Sequence, residues 1–175
     1  MSAPTPSQTV GPFFRFGFAW MDFTADLAPE GASEAFTLGG RVIDGTGHGV
    51  GDAVVEVFQA DPDGRYPSSA SEPWLGFGRC LTAPDGGYSF RTVKPGRVDG
   101  TQAPHIDVSV FARGLLQRVA TRIYFPDEIL ANDADPLLNS IEQSRRATLI
   151  ARPAGSDLHF DIRLQGEGET VFFAW

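Results

Sequence analysis

From about Phe36 onward the chain reads as short runs in which apolar and polar residues alternate, the period-two pattern of half-buried strands. FTLGGRVID leads into the turn GTGHG, and AVVEVFQA follows before the turn DPDG. FGRCLTA and YSFRTV flank PDGG, whose Asp-Gly supplies the positive-φ positions of a tight turn, so these two runs are expected to form a hairpin. HIDVSVFA and LQRVATRIYF make a further pair, joined through ARG. In the first of them Ile106, Val108 and Val110 share one face, and His105, Asp107, Ser109 and Phe111 share the other. TLIARP, LHFDIRLQ and TVFFAW read as the closing strands, with Leu158, Phe160, Ile162 and Leu164 facing the core and His159, Asp161 and Arg163 opposite. Only the stretch from Pro126 to Arg146 has helical character, and Pro136 interrupts it. Short strands spaced by roughly 8–12 residues predict an all-β, single-domain β-sandwich over residues 1–175, with one short helical excursion at about 126–146.

Residues 1–35 have no clean period. Pro4, Pro6, Gly11 and Pro12 forbid a regular start, and Phe13, Phe14, Phe16, Phe18, Trp20 and Phe23 crowd in behind them. So many aromatic rings near a terminus are costly in water, which predicts an arm that packs on a partner or on the body of the chain.

Composition narrows the class. At 175 residues the chain can bury a sizeable core without disulfides, and the single cysteine, Cys80, excludes an internal one. A small buried hydrophobe is the expected role of Cys80. The net charge of -8 argues against a nucleic-acid partner, although a small anionic substrate needs only one or two well-placed cations. MSAPTPSQTVGPFF lacks a basic stretch followed by an apolar core, and no run approaches about 18 apolar residues, so a cytoplasmic, soluble protein is expected.

Metal-binding side chains are few: three histidines (His48, His105, His159) and three tyrosines (Tyr66, Tyr88, Tyr124). His48 lies in a glycine-rich turn and reads as a solvated loop residue. Tyr88 and Tyr124 sit in strand patterns and read as packing residues with a hydrogen-bonded hydroxyl. His105-x-Asp107 with His159 imitates the two-histidine, one-carboxylate triad of ferrous oxygenases, but three residues without the matching fold are weak evidence. Neither a close carboxylate pair nor a phosphate-binding glycine loop is present.

Longer motifs carry more. GRVIDGTGHGVGDAVVEVFQADPDGRY, GFGRCLTAPDGGYSFRTVKPG, APHIDVSVFARG and TRIYF resemble, in order and spacing, the intradiol ring-cleaving dioxygenases. TPSQTVGPFF and IRLQGEGETVFFAW resemble more narrowly the alpha-type chains of family members built from two unlike subunits. The resemblance covers nearly the whole chain and is least characteristic at residues 24–35 and 67–75.

Catalytic chains of that family hold a non-haem Fe(III) with two tyrosinates and two neutral histidines, anionic phenolates favouring the ferric state. Tyr66 falls on the first tyrosine position and His105 on the first histidine of the family's H-x-H pair. The other two positions depart from the pattern: Val98 stands at the second tyrosine and Asp107 at the second histidine. By the resemblance, therefore, this chain has only the vestige of a metal site, and a homologous beta chain holds the iron in an alpha–beta hetero-oligomer. The resemblance also implies that Thr9, Gly11, Pro12, Phe13 and Arg113 line the partner's pocket for a small aromatic substrate, protocatechuate, which reacts there with O₂. Gly-Pro lets backbone approach a ligand in a fixed shape, and an arginine offers a planar fork to a carboxylate. Two other readings stay open: an independent enzyme with an altered metal set at Tyr66, His105 and Asp107, and a non-catalytic ligand-binding sandwich.

Overall fold

The computed structural model describes residues 6–18, 24–69 and 74–174, so Trp20 and Phe23 of the arm lie outside the described residues. Two sheets form the body. In the first, β1 (Phe36–Ile43) pairs antiparallel with β4 (Gly87–Thr92), and on its other edge parallel with β8 (Asp157–His159) and β9 (Ile162–Arg163). β7 (Arg152–Ala154) closes that sheet against β8. The second sheet runs β3 (Phe77–Leu81), β2 (Val54–Phe58), β5 (His105–Phe111) and β6 (Val119–Tyr124), every neighbour antiparallel.

The core lies between the sheets. Leu38, Val42, Phe90, Phe160 and Ile162 from one meet Val55, Val57, Ile106, Val108, Val110 and Ile123 from the other. The alternation read in HIDVSVFA holds, because every second residue from Ile106 is buried. β8 and β9 are one run along β1, broken at Phe160–Asp161, where the Phe160 amide donates to the Gly39 carbonyl. A side chain on Gly40 would bring its Cβ within 1.8 Å of the Phe160 carbonyl oxygen, so glycine permits that close approach.

Three expectations are corrected. The PDGG turn forms, with Gly86 donating to Ala83 and Ala83 to Gly87, but β3 and β4 do not pair as a hairpin; they enter opposite sheets. A tight turn sets only the local geometry, and which sheet each strand joins depends on where its apolar face is buried. TVFFAW does not form a strand; among its described residues only Phe173 bridges to Ala120. The helical excursion forms within the expected 126–146 as three short helices, α2 (Ile129–Ala134), α3 (Pro136–Ser140) and α4 (Gln143–Arg146), followed by a 3-10 turn at Ala147–Leu149. Pro136 begins α3 rather than breaking a helix, since its missing N–H is an unpaired donor at that position anyway. A further helix, α1 (Phe13–Phe18), lies in the arm, where no period was legible. Its phenylalanines, Phe13, Phe14, Phe16 and Phe18, make it apolar nearly all round, so no polar face marks a helical period.

Candidate functional site

The Tyr66 region is built from two loops and two strands. Asp61 organises the first loop, its carboxylate accepting from the amides of Asp63 and Arg65. The loop rests against the Lys94–Gly100 segment, with the Gly96 amide donating to the Asp61 carbonyl. A Cβ on Gly64 would lie 2.1 Å from the Arg97 carbonyl oxygen, which packs the Tyr66 loop flush on the segment carrying Val98. The Tyr66 ring stacks on Phe58 of β2, centroids 5.1 Å apart. Phe58 pairs in register with Asp107, and Asp107 with Arg122 of β6, so all these groups meet on one face of the sheet.

Tyr66 Oη lies 3.3 Å from both His105 Nε2 and Asp107 Oδ2. The His105 ring is 2% exposed, and its Nδ1 is 2.7 Å from the Ala103 carbonyl. A carbonyl only accepts, so Nδ1 carries the proton and Nε2 presents its lone pair. The single Tyr66 proton thus faces two acceptors. Burial, helped by the nearby Arg122 cation, holds the His105 imidazole below its ordinary range and keeps it neutral. Burial first, then the Asp107 carboxylate, pushes the Tyr66 phenol up to about 12. Arg122 closes the network: its Nε donates to Asp107 Oδ1 at 2.8 Å and its Nη1 to Gln102 Oε1 at 2.9 Å.

This arrangement does not fit Fe(III). Val98, on the segment packed against the Tyr66 loop, has no side-chain donor atom, Asp107 is committed to the Arg122 guanidinium, and that cation already stands beside the tyrosine and the histidine. A trivalent ion here would face Arg122 across a low-dielectric site. Among the described residues no group of three or more His, Cys, Asp or Glu side chains is placed to hold a metal. His159 does not join His105 and Asp107; it sits in the other sheet with Nε2 2.9 Å from Asp161. His48 is in an exposed turn beside Thr46. Tyr88 and Tyr124 are buried, with hydroxyls donating to the Phe160 carbonyl and to Asp135. Cys80 is half-buried against the core. Reading the residues missed Arg122 and Gln102, although β5–β6 pairing makes Arg122 the direct cross-strand neighbour of Asp107.

A second cluster gathers beyond the far end of β5. Thr9 Oγ1 accepts from the Gly114 amide at 2.7 Å, which ties the arm to the loop carrying Arg113. Arg113 Nε pairs with Asp52, and Arg15 of α1 donates to the Gly51 carbonyl. Phe14 packs on Phe111, centroids 5.7 Å apart. The structure therefore brings Thr9 to the loop that carries Arg113, whereas Gly11, Pro12 and Phe13 are exposed on the arm. Asp52 and Arg15 were not singled out beforehand, since neither lies in a recognisable motif. The two clusters are separated by β5 itself: at about 3.3 Å per residue, His105 to Phe111 spans roughly 20 Å.

The dioxygenase family matches residues 18–166. The chain belongs to this family, the intradiol ring-cleavage dioxygenases, whose chemistry is that of non-haem iron. Within it, the chain is 43% identical to the protocatechuate 3,4-dioxygenase alpha chain of Burkholderia cepacia over 97% of its own length and 96% of the relative's. The beta chain from the same organism is 34% identical, over 85% of this chain and 73% of the relative. Among solved structures, the dioxygenase domain of a dioxygenase and carbohydrate-binding protein fusion from Streptomyces sp. SirexAA-E superposes with a TM-score of 0.63, at 24% identity, over 94% of this chain and 99% of that one. That likeness supports the β-sandwich fold. Among the described residues no helix is long and apolar enough to cross a membrane.

Proposed function

We propose that the chain is the alpha-type, non-iron-binding subunit of a protocatechuate 3,4-dioxygenase, working in an alpha–beta hetero-oligomer. The reaction is cleavage of 3,4-dihydroxybenzoate between its two hydroxylated carbons, both atoms of O₂ entering the product, 3-carboxy-cis,cis-muconate. The observation that carries the reading is the division along β5: the arm and Arg113 stand at one end and the remnant metal positions at the other, roughly 20 Å away. The groups suited to bind a carboxylated substrate cannot serve this chain's own remnant site, so they serve a centre brought to them by another chain. The 34% identity to a beta chain supports a partner of the same fold, which supplies the iron.

In this reading Thr9, Gly11, Pro12, Phe13 and Arg113 form part of the wall of the partner's pocket. The Arg113 guanidinium attracts and aligns the substrate carboxylate, the Gly11-Pro12 backbone shapes the wall, and Phe13 excludes water when the arm is seated. No proton or electron passes through this chain. Its contribution is to bind, orient and shield.

Expression of the chain with and without the homologous beta-type chain tests this, with iron content and protocatechuate-dependent oxygen uptake as the measurements. Neither stoichiometric iron nor oxygen uptake is expected from the chain alone, and both are expected from the pair. Iron and ring cleavage in the chain alone would favour the altered metal set at Tyr66, His105 and Asp107 and overturn the proposal.

A further inference from the structure

We propose that Asp52 is a positioning residue for the substrate carboxylate, acting through Arg113; this rests on reading Arg113 as part of the substrate pocket. Arg113 reaches Asp52 through Nε alone, and among the described residues its two terminal nitrogens have no protein partner. A guanidinium held at Nε can still present the end-on pair of Nη groups, a fork that matches the two oxygens of a carboxylate. An arginine on a loop otherwise samples many rotamers, and each binding event must freeze them. A carboxylate anchor performs that ordering beforehand.

The anchor is itself fixed. Asp52 precedes Ala53, which is fully buried and exchanges bonds with Thr82: its amide donates to Thr82 Oγ1, and its carbonyl accepts from the Thr82 amide, each at 3.0 Å. The loop before it lies flat on the Pro84–Asp85 turn; a Cβ on Gly49 would be 1.8 Å from the Asp85 carbonyl oxygen and one on Gly51 2.7 Å from that of Pro84. The same loop receives Arg15 from α1 at the Gly51 carbonyl, and Thr9 holds the amide of Gly114, next to Arg113. Asp52 is therefore the point at which a rigid part of the sandwich sets the direction of Arg113, while the arm braces the following residue. Side-chain exposure decides which partner is free to meet a ligand: Arg113 is 59% exposed and Asp52 28%.

The test is made in the co-purified complex of this chain with its beta-type partner. Asp52→Ala is expected to raise KM for protocatechuate by about 3- to 10-fold, the range for restoring rotamer freedom to one ordered side chain, and to raise KM by more than it lowers kcat. Asp52→Asn, which keeps an acceptor but loses the charge, should fall between wild type and Asp52→Ala, and it serves as the comparison if Asp52→Ala does not fold. Adding Asp52→Ala to Arg113→Ala should raise KM no further. Inhibition by 4-hydroxybenzoate should weaken in Asp52→Ala while inhibition by phenol, which lacks the carboxylate, stays constant. A wild-type KM in Asp52→Ala alongside a raised KM in Arg113→Ala overturns the role of Asp52 alone. Penalties that multiply in the double variant show that Asp52 does not act through Arg113 and also overturn it. A wild-type KM in Arg113→Ala removes the pocket reading, and the proposal falls with it.

Discussion

Arg122 and Asp107 show how a largely buried carboxylate is neutralised from within the chain. The guanidinium lies among Asp107, Gln102 and, through Asp107, Tyr66. The pair is largely buried, and a charge left there without its partner is costly. Arg122→Ala is expected to destabilise the chain by about 3 kcal/mol, whereas Arg122→Met combined with Asp107→Leu should come within about 1 kcal/mol of wild type. Urea denaturation of the three proteins checks this, and equal losses in the single and double variants would exclude the ion pair as the cause. The phenols give a second prediction. Burial raises Tyr66 to about 12 and raises Tyr88 and Tyr124 as well, while unfolding returns all three to ordinary phenol behaviour near 10. The unfolded chain then releases these protons first, so stability present below pH 10 is lost as pH rises toward 12. Tyrosinate absorbance of the native chain should be absent near pH 10, and a phenol titrating there in the folded state would contradict the buried network.

At the level of elements, the helical excursion depends on Asp135. Fully buried, it caps α3 at the Leu138 amide, 2.8 Å away, and accepts from the Ala103 amide and the Tyr124 hydroxyl. Ala103 in turn holds the proton of His105, so one carboxylate links the helices to the tautomer of a buried histidine. Asp135→Ala leaves three donors without an acceptor and is expected to cost about 3 kcal/mol or more, with Asp135→Asn losing less. Thermal unfolding checks the order of the two. The sequence identified this stretch as helical but read Pro136 as an interruption, because it shows only a residue that cannot continue a helix. Whether that residue begins the next one depends on the cap, and Asp135 became recognisable as a cap once Ala103 and Tyr124 were folded onto it. PDGG is a similar case: the turn formed, yet its flanking strands were claimed by different sheets.

For the whole molecule, helix α1 of the arm leaves two large apolar rings in water. Phe13 is 80% and Phe16 62% exposed, while the rest of α1 is fastened through Arg15 and the ring of Phe14. Such rings are what a partner subunit would cover. Phe13→Ser with Phe16→Ser is expected to weaken assembly with the beta-type chain by tenfold or more while leaving the thermal stability of the isolated chain within about 0.5 kcal/mol, since surface substitutions away from packed features change little. Size-exclusion chromatography with light scattering, together with a melting curve, separates the two effects.

Much was legible before any fold was drawn. Alternation located the strands from Phe36 to Tyr124 and the buried face of β5, because burial of one strand face imposes a period of two that no other packing reproduces. That Val98 cannot ligate a metal was legible too, because a residue type limits what a side chain can bind wherever it lies. Distance and partnership were not legible. That Arg122 neutralises Asp107, that Asp52 holds Arg113, and that the two clusters stand at opposite ends of β5 all follow from strand pairing and loop contacts between residues far apart in the chain. Chemistry resides in single residues and can be read one at a time; position is a property of pairs, and only folding brings the pairs together.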